Sequence, residues 1–404
     1  MTAVTLALLP PLLLAAPPPT SRRVAALLVP MDQGAEAHLV RLEGYMVEAL
    51  RDYRGFAVKP TDELFGMPVS NDAQASLQRA EKGFGESRLA FEKRDLPDAE
   101  RKLRATLKEF GGAAHAMTDC GRLCDALAMY AAVLHERGDP EEARFTLLDL
   151  QALHPHYELD KKRFTQDFVA FRHQVASSQS ANLRGNVQVK SRPAGARVYL
   201  NGAFQGFTPV SLQTLPMGKH LLRIDRPGFQ QVGELLEVSA DDRELFVDLK
   251  PTPEYRAFDA LLDKLAAEVV KDKGGTTMAS LGKSLGLDRA LVGVLKEINE
   301  SGGIELFLGY YDLPTGRKLA MRKIVFQGDE YGQLKSEVGR LVNYLVNNAE
   351  GQADKVRRSS DPLDRQTGME DWSAEDRGGA RTGKEKKKRR SGDPLEGVSG
   401  TEDW

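Results

Sequence analysis

The chain has 404 residues, room for several domains, and a formal net charge of −2, which leaves no global basic field to recruit nucleic acid. Its apolar content of 41% is that of ordinary globular protein, so at least one real core is expected. Two cysteines exclude a disulfide-dense scaffold and a multi-cysteine zinc framework.

Residues 1–20 read as a signal peptide. Leu6 to Ala16 is an apolar run broken by Pro10 and Pro11, and the small Ala15 and Ala16 precede Pro17-Pro18-Pro19. The run has the length of a signal-peptide apolar region and is too short to span a bilayer, although no Lys or Arg precedes it. No other stretch approaches the roughly 20 apolar residues of a membrane helix, so no transmembrane span is expected. Val24 to Pro30 is a continuous apolar run that suits a buried strand. Leu39, Leu42, Tyr45, Met46, Ala49 and Leu50 then recur at helical spacing over 35–53, and Phe56 to Val58 reads as a second strand.

From 71 to 176 strand formers are scarce. Segments near 73–93, 97–110, 118–137, 140–153 and 160–176 read as amphipathic helices, and Asp95-Leu96-Pro97 and Gly138-Asp139-Pro140 are stop-and-start signals. Between 185 and 250 the period switches to two. Val187 and Val189, Val198 and Leu200, the run around Leu221 and Ile224, and Leu245, Val247 and Leu249 mark short strands separated by Gly and Pro turns. Over 253–349 the expectation is a helix at 253–272, a further helix after 276, strands at Ala290–Ile298, Ile304–Tyr311 and Lys318–Phe326, and a helix at Tyr331–Asn347. Past 351 the apolar periodicity ends, and composition predicts a disordered tail to 404.

Two segments carry family resemblances on specific residues. Asp125 to Tyr130, Gly138-Asp139-Pro140, Ala143, Leu150 and Pro155, with a weaker copy at Ala90, Ala99, Leu103 and Phe110, resemble tetratricopeptide repeats. That resemblance implies stacked helix pairs that present a groove to a protein partner. Ser191 to Gly202, Gly206 to Pro209, Leu215 to His220 and Arg226 to Phe229 resemble a PEGA domain. The residues that carry it are Pro193, Gly195, Ala196, Gly202, Gly206, Thr208 and Pro209; the family's Pro-Glu-Gly-Ala stands here as Pro-Ala-Gly-Ala. It implies a small β-sandwich found in envelope and surface proteins, without known catalysis. A third likeness, at Arg22 to Pro30, Ala290 to Leu295 and Tyr311 to Gly316, is to the small α/β domain of the TolB amino-terminal type. It implies that 22–66 and 276–349 form one discontinuous α/β domain, its second part preceded by a helix within 253–349, with the repeats and the β unit inserted into it. The fold class expected is therefore multidomain α+β: a tetratricopeptide-like helical array, a PEGA-like β-sandwich, a discontinuous α/β domain and a disordered tail.

The tail repeats a motif. Asp361, Pro362, Leu363 and Trp372 recur as Asp393, Pro394, Leu395 and Trp404, with seven of twelve positions identical across 361–372 and 393–404. These hold the chain's only two tryptophans, strong single anchors for a pocket, and two copies on one tether can bind by avidity. Both motifs are candidate partner-binding elements. The basic run Lys384 to Arg390 between them reads as a solvated linker.

Nothing nominates an enzyme. Gly282-Lys283-Ser284 ends like a phosphate-binding loop, but the loop's first glycine position is Thr277 and no strand precedes it. His154 and His156 flank Pro155 in a helix-ending loop, where exposure is expected rather than metal ligation. Cys120 and Cys124 share one face of a predicted helix. That favours two buried thiols over a disulfide, whose geometry is poor at this spacing, and over a metal site. No catalytic residue, metal or cofactor is expected. The reading is a non-catalytic envelope adaptor that binds proteins through repeats and tail and a wall or surface polymer, such as peptidoglycan, through the β-module. The alternatives are a periplasmic accessory subunit of a transport or motility machine, and a cryptic hydrolase.

Overall fold

The computed structural model describes residues 21–160, 162–178, 182–271, 274–298, 303–327 and 333–351. The segment expected to be a signal peptide and both tail motifs lie outside them. The fold is mixed α and β, and no described helix is long and apolar enough to cross a membrane.

A five-stranded sheet joins distant parts of the chain. β1 (Arg22–Pro30) pairs in parallel with β2 (Phe56–Val58) on one side and with β10 (Arg289–Glu297) on the other, from Val24 opposite Arg289 to Pro30 opposite Leu295. β11 (Gly303–Asp312) and β12 (Arg317–Gln327) extend it antiparallel, giving the order β12-β11-β10-β1-β2. Val24 to Val29 are all buried, the signature of a strand covered on both faces. One face packs on α1 (Gln33–Leu50) and α11 (Gln333–Glu350), whose Leu334, Val338, Leu341, Val342 and Leu345 point inward. The other packs on α8 (Pro253–Asp259), α9 (Leu262–Val270) and α10 (Thr276–Leu285). The Asp32 carboxylate fixes α1 to the sheet: Oδ1 accepts from Ala35 N at the helix start and Oδ2 from Glu297 N at the end of β10.

The helix expected over 253–272 is broken. Leu261 N bonds back to Phe258 O, so the chain bends between α8 and α9 and both Phe258 and Leu265 reach the same core. No Gly or Pro marks this break; tertiary packing sets it. A short helix α2 (Thr61–Phe65), also unforeseen, follows β2. Gly282 lies inside α10, where an added Cβ would come within 2.5 Å of Leu313 Cβ; the glycine serves close packing.

The helical block contains α3 (Asn71–Glu92), α4 (Leu96–Gly112), α5 (Gly121–Glu136), α6 (Pro140–Leu153) and α7 (Gln166–Ala176). Asp95 and Asp139 cap α4 and α6 through their side chains, each with Pro in the first turn. Every residue from Ala126 to Leu134 on α5 is buried, so this helix is the centre of the block.

The cysteine expectation is corrected. Cys120 and Cys124 form a disulfide, with Cα atoms 5.5 Å apart, inside the range a bridge requires. The predicted helix began at 118, whereas α5 begins at Gly121 and Cys120 is its N-cap, outside the regular helical turn.

The β-module holds seven strands: β3 (Arg184–Arg192), β4 (Arg197–Leu200), β5 (Ala203–Phe207), β6 (Val210–Pro216), β7 (Gly218–Asp225), β8 (Val232–Val238) and β9 (Arg243–Asp248). They form two sheets, β6-β3-β9 and β5-β4-β7-β8, closed around Val187, Val189, Val198, Leu222, Ile224 and Leu236.

Candidate functional site

The turns of the β-module are built from the residues that drew attention in the sequence. After β3 the chain turns through Pro193 to Ala196, with cis peptide bonds before Pro193 and Pro209. Gly195 N donates to Thr208 O (2.8 Å), and Thr208 N donates to Ala196 O (2.8 Å). The buried Thr208 hydroxyl accepts from Ala196 N (3.0 Å) and meets the Ser191 hydroxyl at 2.6 Å. β4 and β5 are joined by Asn201 and Gly202, both at positive φ as a type I′ hairpin needs. Gly206, at φ +139°, lies where the β4–β5 register shifts. Pro209 is exposed.

These turns are where the module meets its neighbours. A Cβ on Gly195 would lie 2.8 Å from Glu36 O on α1, and one on Gly202 would lie 2.9 Å from Thr118 O before α5. A Cβ on Gly218 would lie 3.2 Å from Leu148 O on α6. The glycines thus combine a left-handed backbone with backbone-to-backbone approach.

The junction with the five-stranded sheet is charged. Arg226 is 1% exposed; its guanidinium donates to Ala194 O, lies 3.6 Å from the Glu36 carboxylate and stacks over Phe229. Glu36 also accepts from Ala194 N (3.2 Å), at the position where the PEGA pattern has its own Glu. Arg197 makes a two-pronged bond to Asp62 on α2, at 2.9 and 3.0 Å. Asp225 lies beside Arg197 and Arg223; burial pushes its carboxyl up and the two guanidiniums oppose that. Behind Arg226 lies Glu43, fully enclosed, with Oε1 accepting from Leu28 N (2.9 Å). Burial raises its carboxyl to about 8, against the bond from Leu28 N and the charge of Arg226.

The junction with the helical block is neutral and partly apolar. Asn201 Oδ1 accepts from Leu221 N (2.9 Å), and its Nδ2 donates to Ala152 O (2.9 Å) and to His220 Nδ1 (3.1 Å). His220 Nε2 donates to Pro216 O (2.8 Å), so the ring sits as the Nε2–H tautomer, and burial lowers its basicity. Leu221 belongs to the core of the helical block and Leu235 packs against it. One ion pair, Lys219 to Asp149 at 2.8 Å, sits at the margin.

Arg226, Glu43, Glu36, Arg197 and Asp62 were not anticipated. Glu43 carried a legible signal, a carboxylate on the stripe between Leu39 and Met46; the partners of Arg226 are too distant in sequence to be read. The tail candidates Asp361, Pro362, Leu363, Trp372, Asp393, Pro394, Leu395 and Trp404 lie outside the described residues. His154 and His156 are exposed.

No curated protein matches the chain. Residues 184–253, from the start of β3 to the first residue of α8, match the family model described as PEGA domain.

Proposed function

We propose that this chain is a non-catalytic scaffold of the bacterial cell envelope, with the PEGA domain as the joint that sets one helical block against one α/β unit. The observation that carries this reading is the double docking of the PEGA turns, Gly195 on α1 and Gly202 and Gly218 on the helical block. A module fixed through its own signature turns presents its neighbours in a defined geometry, which is what an adaptor requires. The helix pairs act as tetratricopeptide-like repeats that engage proteins, and the tail motifs around Trp372 and Trp404 add avid anchors. The apolar run Leu6 to Ala16 and the Cys120–Cys124 disulfide both suit an exported protein in an oxidising compartment.

The test is crosslinking in cells followed by mass spectrometry, on the full chain and on a chain ending at residue 351. Envelope proteins crosslinked to helices α3 to α7, with partners lost on truncation, support the proposal. Recovery only from the cytosol, or turnover of a small molecule by the purified chain, overturns it. Sedimentation with purified peptidoglycan tests the wall-binding arm. A second reading, an accessory subunit of an envelope transport or motility machine, is favoured by the parallel pairing of β1 with β10 that builds the mixed sheet. Crosslinks from that sheet to membrane transport components distinguish it.

A further inference from the structure

The two edges of the five-stranded sheet differ in length. β12 is its outermost strand, eleven residues long, hydrogen-bonded to β11 alone among the described strands. The opposite edge is the three-residue β2, too short to template much. A long edge strand offers a row of backbone donors and acceptors to an added chain.

The side chains along β12 specify what could be added. The strand carries Arg317, Lys318, Arg322 and Lys323 and no acidic residue. Beside it on α11, Arg340 is exposed and lines, with Arg322, Ile324, Val325, Phe326 and Leu341, a groove of about 330 Å³. Glu337 is the one carboxylate in that lining. The Arg322 guanidinium stacks over Tyr344 at 4.5 Å, and Val325 and Tyr344 are each about half exposed. The corner is therefore an apolar floor with a cationic rim next to an open backbone edge.

We propose that β12 is a docking edge for an extended acidic peptide of a partner protein, added as a sixth strand. Backbone bonds supply affinity; on the α11 face of the added strand, apolar side chains enter the groove over Ile324 and Phe326, and carboxylates further along that same face meet Arg322 and Arg340. A second copy of the chain is the poorer occupant, because pairing β12 with itself opposes two strands whose charged residues are all basic, Lys323 among them being ion-paired to Glu305 on β11. The inference adds a site to the scaffold reading and does not depend on it.

The test uses the full chain and a fluorescein-labelled heptapeptide Glu-Thr-Glu-Thr-Val-Thr-Val, whose one face carries two carboxylates and then two apolar side chains. Fluorescence anisotropy should report saturable binding that weakens about tenfold in the R322E/R340E variant, the scale of a lost close charge pair across an interface. Circular dichroism checks that the variant folds. The same peptide N-methylated at alternate residues keeps its charge but cannot complete the strand bonds, and it should not bind. Absence of saturable binding to the folded wild-type chain overturns the proposal. Equal binding of the N-methylated peptide also overturns it, since the contact would then be charge alone. So does a dimer in sedimentation velocity that R322E abolishes, which would assign the edge to self-pairing.

Discussion

The PEGA domain is held on two sides by different physics. Toward α1 and α2 it uses charge: Arg226 among Ala194 O, Glu36 and Phe229, Arg197 on Asp62, and Glu43 sealed behind them. Toward the helical block it uses a neutral amide and imidazole, Asn201 and His220, over the apolar contact of Leu221. Buried charge is costly unless every partner is present, so the first junction is unforgiving of single deletions. A neutral hydrogen-bonded junction over an apolar contact loses less when one group is removed. One module thus carries a brittle face and a tolerant face.

The sharpest way to break this asymmetry is Arg226→Ala. Removing the guanidinium leaves Ala194 O and the Glu36 carboxylate without their cation, and the expected loss is about 3–5 kcal/mol, the usual cost of breaking a buried pair. Urea denaturation followed by tryptophan-independent circular dichroism measures it. A loss no larger than that of Lys219→Ala, which removes the marginal ion pair on the tolerant face, would contradict the comparison.

Next in size is the pH dependence carried by Glu43. Its folded value of about 8 stands above its ordinary 4.5, so the folded state holds a proton that the unfolded chain has already released. Stability from this group is complete below pH 4.5, declines as pH rises toward 8 and is level above that. Arg226, Thr61 and Asp62 face the carboxyl. Glu43→Gln should flatten the slope between pH 5 and 8 in melts across pH. An unchanged slope would remove Glu43 as its source.

The glycines give a smaller effect, and they compare the two faces directly. Gly195→Ala and Gly202→Ala each place a Cβ within 3 Å of a backbone oxygen, on α1 and before α5 respectively, at positive φ. Each should cost about 1–3 kcal/mol. Gly138→Ala is the control, since φ there is +88° but nothing lies within 4 Å of the added Cβ. It should lose only the backbone part, about 1 kcal/mol. The excess over Gly138 in thermal melts is the docking contribution of each turn.

How much of this was readable depends on whether the cause is local. The starts of α4 and α6 follow from Asp95 with Pro97 and Asp139 with Pro140, because caps act within one turn. β3 and β9 are legible from Val187, Val189, Leu245 and Val247. β5 is not, since Gly206 and a register shift interrupt its alternation. The turn at Asn201 and Gly202 announces itself, but its second role, Asn201 bonding Ala152 O, depends on a helix some fifty positions upstream. The break between α8 and α9 and the bridge at Cys120 were also missed, for different reasons. The first is set by packing that a window of sequence does not contain; the second by a helix start three residues later than the periodicity predicts.

The last prediction separates the faces by acid. His220 donates from Nε2 to Pro216 O and accepts at Nδ1 from the Asn201 amide, whose orientation is fixed by Leu221 N and Ala152 O. A proton on Nδ1 would face another donor, so the folded state resists it, and burial lowers the ring below its ordinary 6.5. The unfolded chain takes that proton first, so stability present above pH 6.5 is lost as pH falls below it. The charged face responds in the opposite sense, because the folded state holds the Glu43 proton that the unfolded chain lacks until pH falls to its ordinary value. Once the slower intrinsic exchange in acid is divided out, protection at pH 5 against pH 7 should fall for amides of β7 and the end of α6 while that of α1 holds or rises. His220→Gln should abolish the acid response of β7 and α6 and leave that of α1 unchanged. Imidazole resonances that place His220 at or above 6.5 would refute the neutral-junction argument.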